Sequence, residues 1–118
     1  MKHHKAGRTL GRKKGQRTAL LRSLARSLVE HEKITTTVTR AKELRPYIEQ
    51  LVTKAKKNDV ATRRLLARRL GNSSDTVRKL SSTIAPRYKT RMGGYTRIVK
   101  LGPTGKRMVE AATIEFVK

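Results

Sequence analysis

Residues 41–55 read Ala41-Lys-Glu-Leu-Arg-Pro-Tyr-Ile-Glu-Gln-Leu-Val-Thr-Lys-Ala55. The apolar members Ala41, Leu44, Ile48, Leu51, Val52 and Ala55 recur every three or four positions, which lays one stripe along a helix. The spacing predicts a helix over about 40–57, with Lys54, Lys56 and Lys57 complementing the dipole at its C-terminal end. Pro46 has no N–H for the helical ladder, so a kink or a restarted helix is expected there. Such a stripe needs an apolar surface to pack on, and the flanking segments offer several.

Upstream, residues 34–38 (Ile-Thr-Thr-Thr-Val) are β-branched throughout and suit a short strand with Ile34, Thr36 and Val38 on one face. From about Arg17 to His31, Leu21, Leu24, Ala25 and Leu28 form another helical stripe, while Arg22 and Arg26 share a different face. Downstream, Asn58 or Asp59 caps a third helix that Gly71 ends, its surface carrying Arg63, Arg64, Arg68 and Arg69. A short fourth helix starts at Ser73 or Ser74, carries Val77 and Leu80, and is over before Pro86. The last third changes period. Tyr95 to Leu101 alternates as a strand, and Met108 to Val117 gives another, with Ala112, Ile114 and Phe116 on one face. Gly102-Pro-Thr-Gly105 reads as the hairpin turn between them. The expected fold is α+β: about four helices packed with a small two- or three-stranded sheet that includes a C-terminal hairpin, plus a basic N-terminal extension.

The chain has 118 residues, room for one compact domain and a tail, and 36% hydrophobic residues, enough for a small core. Thirty Lys and Arg against eight Asp and Glu give a formal charge of +22. Self-repulsion at that density opposes compaction until anions neutralise it, so a polyanion is the first partner to consider. The absence of Cys excludes disulfide scaffolds, thiolate metal sites and thiol nucleophiles. Apolar runs of three residues are far too short for a membrane span, which needs about 18. No apolar middle region of a secretory signal is visible. The acid-free, Arg- and Lys-rich residues 1–29 do share the composition of a mitochondrial transit peptide.

Within residues 1–17, seven are Lys or Arg and three are Gly, too polar a segment to offset its ordering entropy alone. The division expected is a basic RNA-binding extension over 1–16, ordered on its partner, and a globular domain over 17–118. The richest local signal is Pro86-Arg-Tyr-Lys-Thr-Arg-Met-Gly-Gly-Tyr-Thr-Arg-Ile-Val-Lys100, five cations around paired glycines without a carboxylate. Arg87, Arg91 and Arg97 can fork onto phosphates or stack on bases, while Gly93 and Gly94 let another backbone approach. Tyr95 is read as half in the core. The bottom-up RNA-facing set also takes in Lys5, Lys13, Lys14, Arg22, Arg26, Arg63 and Arg64.

Other chemistry is poorly supplied. His3-His4 and His31 are no metal-ligand set, and Glu30/Glu32 and Glu43/Glu49 suit ion pairing with neighbouring cations better than acid–base work. Gly102-Pro-Thr-Gly-Lys106 lacks the spacing of a phosphate loop. A DNA-compacting protein would share the charge, but no apolar wedge or recognition helix is evident. A membrane-active reading of residues 17–31 fails because that stripe is needed for the core.

Several segments together resemble one family. They are Lys2-His3, Gly7-Arg8-Thr9-Leu10, Arg12 and Arg17; Leu28-Val29-Glu30-His31 running into Ile34-Thr-Thr-Thr37; and Arg40-Ala-Lys-Glu-Leu-Arg45. Leu51 through Ala55-Lys56, Arg63-Arg64-Leu65, Pro86-Arg87 and Arg91-x-Gly93-Gly94-Tyr95-Thr96-Arg97 follow in order. This resembles the bacterial-type large-subunit ribosomal protein seventeen family across essentially the whole chain. Gln16 and Thr39 depart from residues often found in it, a histidine and a proline. The resemblance implies a non-enzymatic constituent of the large ribosomal subunit, without cofactor, that binds large-subunit ribosomal RNA and lies beside neighbouring ribosomal proteins in the cytoplasm. It carries RNA contact onto Lys2, His3, Gly7, Arg8, Arg12, Arg17, Arg91, Gly93, Gly94 and Arg97. A match running from residue 2 also leads us to expect no cleaved presequence and disfavours an organellar ribosome.

Removing residues 1–14 is expected to leave the helical circular dichroism intact while weakening assembly into the subunit. Loss of the helical signal would instead make the arm part of the core.

Overall fold

The computed structural model describes residues 14–118, in which helix α1 spans Lys14–His31, strand β1 Lys33–Thr37 and helix α2 Val38–Ala55. Helices α3 (Val60–Arg69) and α4 (Ser74–Lys79) follow, then strands β2 (Thr96–Thr104) and β3 (Val109–Phe116). The sheet is antiparallel with order β1-β3-β2, so the C-terminal hairpin pairs as expected and β3 lies in the middle.

Helix α2 is the axle of the fold. Ala41, Leu44, Ile48, Leu51, Val52 and Ala55 are all buried, the same six residues the spacing picks out. They pack against all three strands, α1, α3 and the segment after α4. Ala25, Leu28 and Val29 enter from α1, Leu66 and Leu70 from the α3 region, and Ala112, Ile114 and Phe116 from β3. Leu24 packs at the margin.

Several local details depart from expectation. Val38 opens α2 instead of closing the strand, because Thr37 caps the helix: its side-chain oxygen accepts from the Arg40 N–H at 3.2 Å. Pro46 neither breaks nor restarts the helix. Pro46 and Lys42 are both exposed, so water can take the Lys42 carbonyl that proline leaves without a donor. Helix α1 already includes Lys14, ahead of Arg17, and the Thr18 hydroxyl donates back to the Lys14 carbonyl at 2.9 Å. Asp59 and Ser73 cap α3 and α4.

The fourth helix is over before Pro86, as expected, but the chain stays helical in other forms. After Lys79 the path widens into a π-helical turn over Leu80–Ile84 and then tightens into a 3-10 turn over Ala85–Tyr88. Pro86 sits in the first turn of that last piece, where a missing N–H is tolerated. The hairpin turn also moves. Gly102, Pro103 and Thr104 belong to β2, and the chain reverses at Gly105–Met108, where the Met108 N–H donates to the Gly105 carbonyl at 3.2 Å. A bulge at Leu101 shifts the register, pairing Lys100 with Ala112 and Gly102 with Ala111. Pro103 is accommodated because β2 is an edge strand.

Ile48→Ala removes most of a side chain at 0% exposure in the centre of this core. It should lower unfolding stability by about 2–5 kcal/mol, read as a reduced denaturant midpoint with an unchanged slope.

Candidate nucleic-acid interface

The Gly93-Gly94 loop leaves the 3-10 turn and feeds β2. Gly93 and Gly94 adopt φ of +121° and +65°, conformations that L side chains rarely take. The loop is held from α2. The Glu49 carboxylate accepts from the Gly94 N–H at 3.2 Å, the Thr96 N–H at 3.3 Å and the Thr96 hydroxyl at 2.8 Å, with Arg45 at 3.6 Å beside it. Lys56, the residue that follows α2, donates to the Arg91 carbonyl and places its ammonium 4.7 Å from the Tyr95 ring centroid.

Tyr95 is fully buried, beyond the half-burial expected, and its phenol and the Thr53 hydroxyl lie 3.0 Å apart. Burial acts to raise that phenol's pKa, but Lys56 and Thr53 beside it outweigh burial and hold it below its ordinary value. The Tyr88 ring packs on Tyr95 at 5.1 Å, and the Val117 N–H donates to the Tyr95 carbonyl at 2.8 Å. The tyrosines therefore anchor the loop from below and are not free to stack on bases.

What remains outside is cationic. Arg91 is exposed and its Nε donates to the Gly93 carbonyl at 3.2 Å, which folds the guanidinium over the loop. Arg97 stands on the outer face of the sheet, 64% exposed, its Nε 2.9 Å from Glu115 on the neighbouring strand. Arg87 is exposed but tied to Glu32, which also faces Lys79 at 3.4 Å. Its predicted RNA-facing role is thus shared with a structural one.

A second cationic region forms where α1 crosses α2 and α3. The Tyr47 phenol donates to the Arg69 carbonyl at 2.6 Å. Burial pushes Tyr47 above its ordinary pKa, although the charges of Arg69 and Arg22 oppose this, which puts Arg22 in the same cluster. Arg26 lies against Gly71, its Nη1 3.5 Å from where a Cβ would stand. Arg63 and Arg64 are exposed on α3, and Lys14 is exposed on α1 with Arg17 half-buried one turn on. Lys2, His3, Lys5, Gly7, Arg8, Arg12 and Lys13 lie outside the described residues.

Sequence reasoning missed Glu49 and Lys56 as the residues that shape the loop, and Arg69 and Tyr47 as members of the second cluster. The available signal was scarcity. With eight acids in the chain, a carboxylate one turn from Arg45 on a buried helix has few neutral roles. Among the described residues, no group of three or more His, Cys, Asp or Glu could hold a metal ion, and no helix is long and apolar enough to cross a membrane.

The ribosomal protein L17 family model matches residues 20–117. The chain is 50% identical over 117 residues to large ribosomal subunit protein bL17 of Sphingopyxis alaskensis, covering 99% of this chain and 84% of that relative. The protein of the same name from Pelobacter propionicus is 47% identical over 118 residues, covering 100% and 92%. That from Bdellovibrio bacteriovorus is 47% identical over 115 residues, covering 98% of this chain but 63% of the relative.

Glu32 yields a pH prediction. Hydrogen bonding from Arg87 lowers its pKa, partial burial opposes that, and the charges of Arg87 and Lys79 add to the lowering. Because the folded-state value is depressed, its stabilisation is complete above the unfolded-state value of about 4.3 and is lost as pH falls through the folded value. Both partners are about one-third exposed, so the contribution is below about 1 kcal/mol. Calorimetry should find Glu32→Gln melting up to about 4 °C below wild type at neutral pH, with the gap closing as the pH falls through the lowered folded-state value.

Proposed function

Because the chain belongs to the ribosomal protein L17 family, we propose that it is a structural constituent of the large ribosomal subunit that binds and stabilises large-subunit ribosomal RNA. Contact runs through the basic segment 1–16 and the exposed cations of the body. One observation carries the reading at the level of geometry. The carboxylate nearest the Gly-Gly loop, Glu49, is turned onto the loop's own backbone, so the exposed guanidinium groups of Arg91 and Arg97 are left to meet phosphate oxygens. Arg69 lines one cavity together with Gly93 and Tyr95, so the Arg22, Arg26 and Arg69 cluster extends the same cationic surface.

The mechanism is counterion release, with the arm ordering on RNA shape. The role is one of scaffolding: the chain assists no bond rearrangement and uses no cofactor, and its partners are ribosomal RNA and neighbouring large-subunit proteins in the cytoplasmic ribosome.

Filter binding of the full chain to large-subunit RNA should give log affinity falling against log salt with a slope of about four to nine units, if about 6–10 phosphates are engaged. Arg97→Ala should reduce that slope by about one and leave the melting temperature nearly unchanged, since the pair it breaks is a surface one. Salt-insensitive binding, a preference for duplex DNA at physiological salt, or a large fall in melting temperature on Arg97→Ala would overturn the assignment.

A further inference from the structure

Between α3 and the segment that follows α4 lies a groove of about 590 Å³, a size typical of small-molecule sites. Ala67 and Val77 line it with apolar surface, and Arg63, Arg64 and Arg78 are exposed along it. No carboxylate is among its lining residues. Arg63 Nε donates weakly to the Asp59 carbonyl at 3.4 Å, and none of the three arginines forms an ion pair within 4 Å among the described residues. The groove shares no lining residue with the Gly-Gly loop, so the interface described above does not account for it.

A second observation marks it as built for something. Ser81, also in its lining, is 7% exposed, and its hydroxyl is the one buried side-chain polar atom among the described residues with no hydrogen-bond partner. Leaving such a group unpaired is costly, and a ligand can supply the missing bond. Ser81 also stands in the π-helical turn Leu80–Ile84; turns of this kind are rare and gather at functional sites.

We propose that this groove takes one unstacked nucleotide of single-stranded RNA, its phosphate on the arginines and its base over Ala67 and Val77 with an edge toward the Ser81 hydroxyl. The proposal rests on the RNA-binding reading above and names a subsite within it. A hydroxyl both donates and accepts, so it serves the edge of any base, and the apolar lining offers a face without demanding a sequence. Single-stranded loops and bulges are where ribosomal RNA presents splayed bases. An acidic peptide would satisfy the arginines but would leave the apolar lining and a buried hydroxyl poorly matched. Charge and shape together favour the nucleotide.

The test uses the full chain in two settings. In ¹⁵N-resolved titrations, uridine 5′-monophosphate should shift the amides of Ala67, Val77 and Ser81, whereas inorganic phosphate should leave those three unmoved. Ser82→Trp fills the groove from an exposed lining position without touching the core. It should weaken the uridine monophosphate response at least about fivefold. Equal shifts from phosphate and nucleotide, or an unchanged response in Ser82→Trp, would overturn the proposal. In reconstituted large subunits, Ser82→p-benzoylphenylalanine should crosslink to RNA at one or a few adjacent nucleotides. Crosslinks to protein alone, or none, would also overturn it, while leaving RNA binding elsewhere on the chain intact. If the wild-type chain itself failed to enter the subunit, the broader reading would fall and this one with it.

Discussion

The Glu49 carboxylate ties the most buried helix of the protein to its most cationic loop. Three donors from Gly94 and Thr96 converge on it, so the path of a loop containing two left-handed glycines is set from the core outward. Glu32 acts similarly at the corner between α1 and β1. It takes a left-handed φ of 62° where glycine is commoner, its N–H donates to the Leu28 carbonyl at 2.6 Å, and its side chain gathers Arg87 and Lys79 from the far side of the fold. Glu115 pairs with Arg97 across the sheet. In a chain with thirty cations and eight acids, these positions decide which positive groups are held by the fold and which are left to a polyanion.

The large elements were legible because periodicity reports burial directly. Every residue of the α2 stripe lands in the core, and Ala112, Ile114 and Phe116 share the inner face of β3 as alternation requires. Misreadings occurred where two local rules competed. Val38 has strand propensity, but Thr37 is a good N-cap, and the cap governs. Pro46 should break a helix by its own chemistry, yet packing on the opposite face keeps α2 continuous. Gly102-Pro103 carries turn composition, but β3 offers a partner for three more residues of β2. The π turn has no composition signal at all.

The candidate site was legible in its cations and not in their partners. Arg91, Gly93, Gly94 and Arg97 stand out as residue types in a run, whereas the acid that holds them lies more than forty positions earlier in the chain. Long-range pairing of that kind leaves no trace in local spacing. Tyr95 shows the same limit. Its neighbours read as surface loop, but Thr53 of α2, Lys56 just after that helix and the ring of Tyr88 enclose it. Arg87 and Arg97 turn out to combine an internal ion pair with solvent exposure, so their guanidiniums keep donors available while their stems are restrained.

Strand β2 borders the sheet with no neighbouring strand on its outer side among the described residues, and such a border can recruit foreign strands into growing aggregates. Pro103 withholds a donor from that border and the Leu101 bulge disturbs its repeat, while Arg97 and Lys100 add like charge along it. The same irregularities that displaced the hairpin turn therefore act as a guard against self-templating.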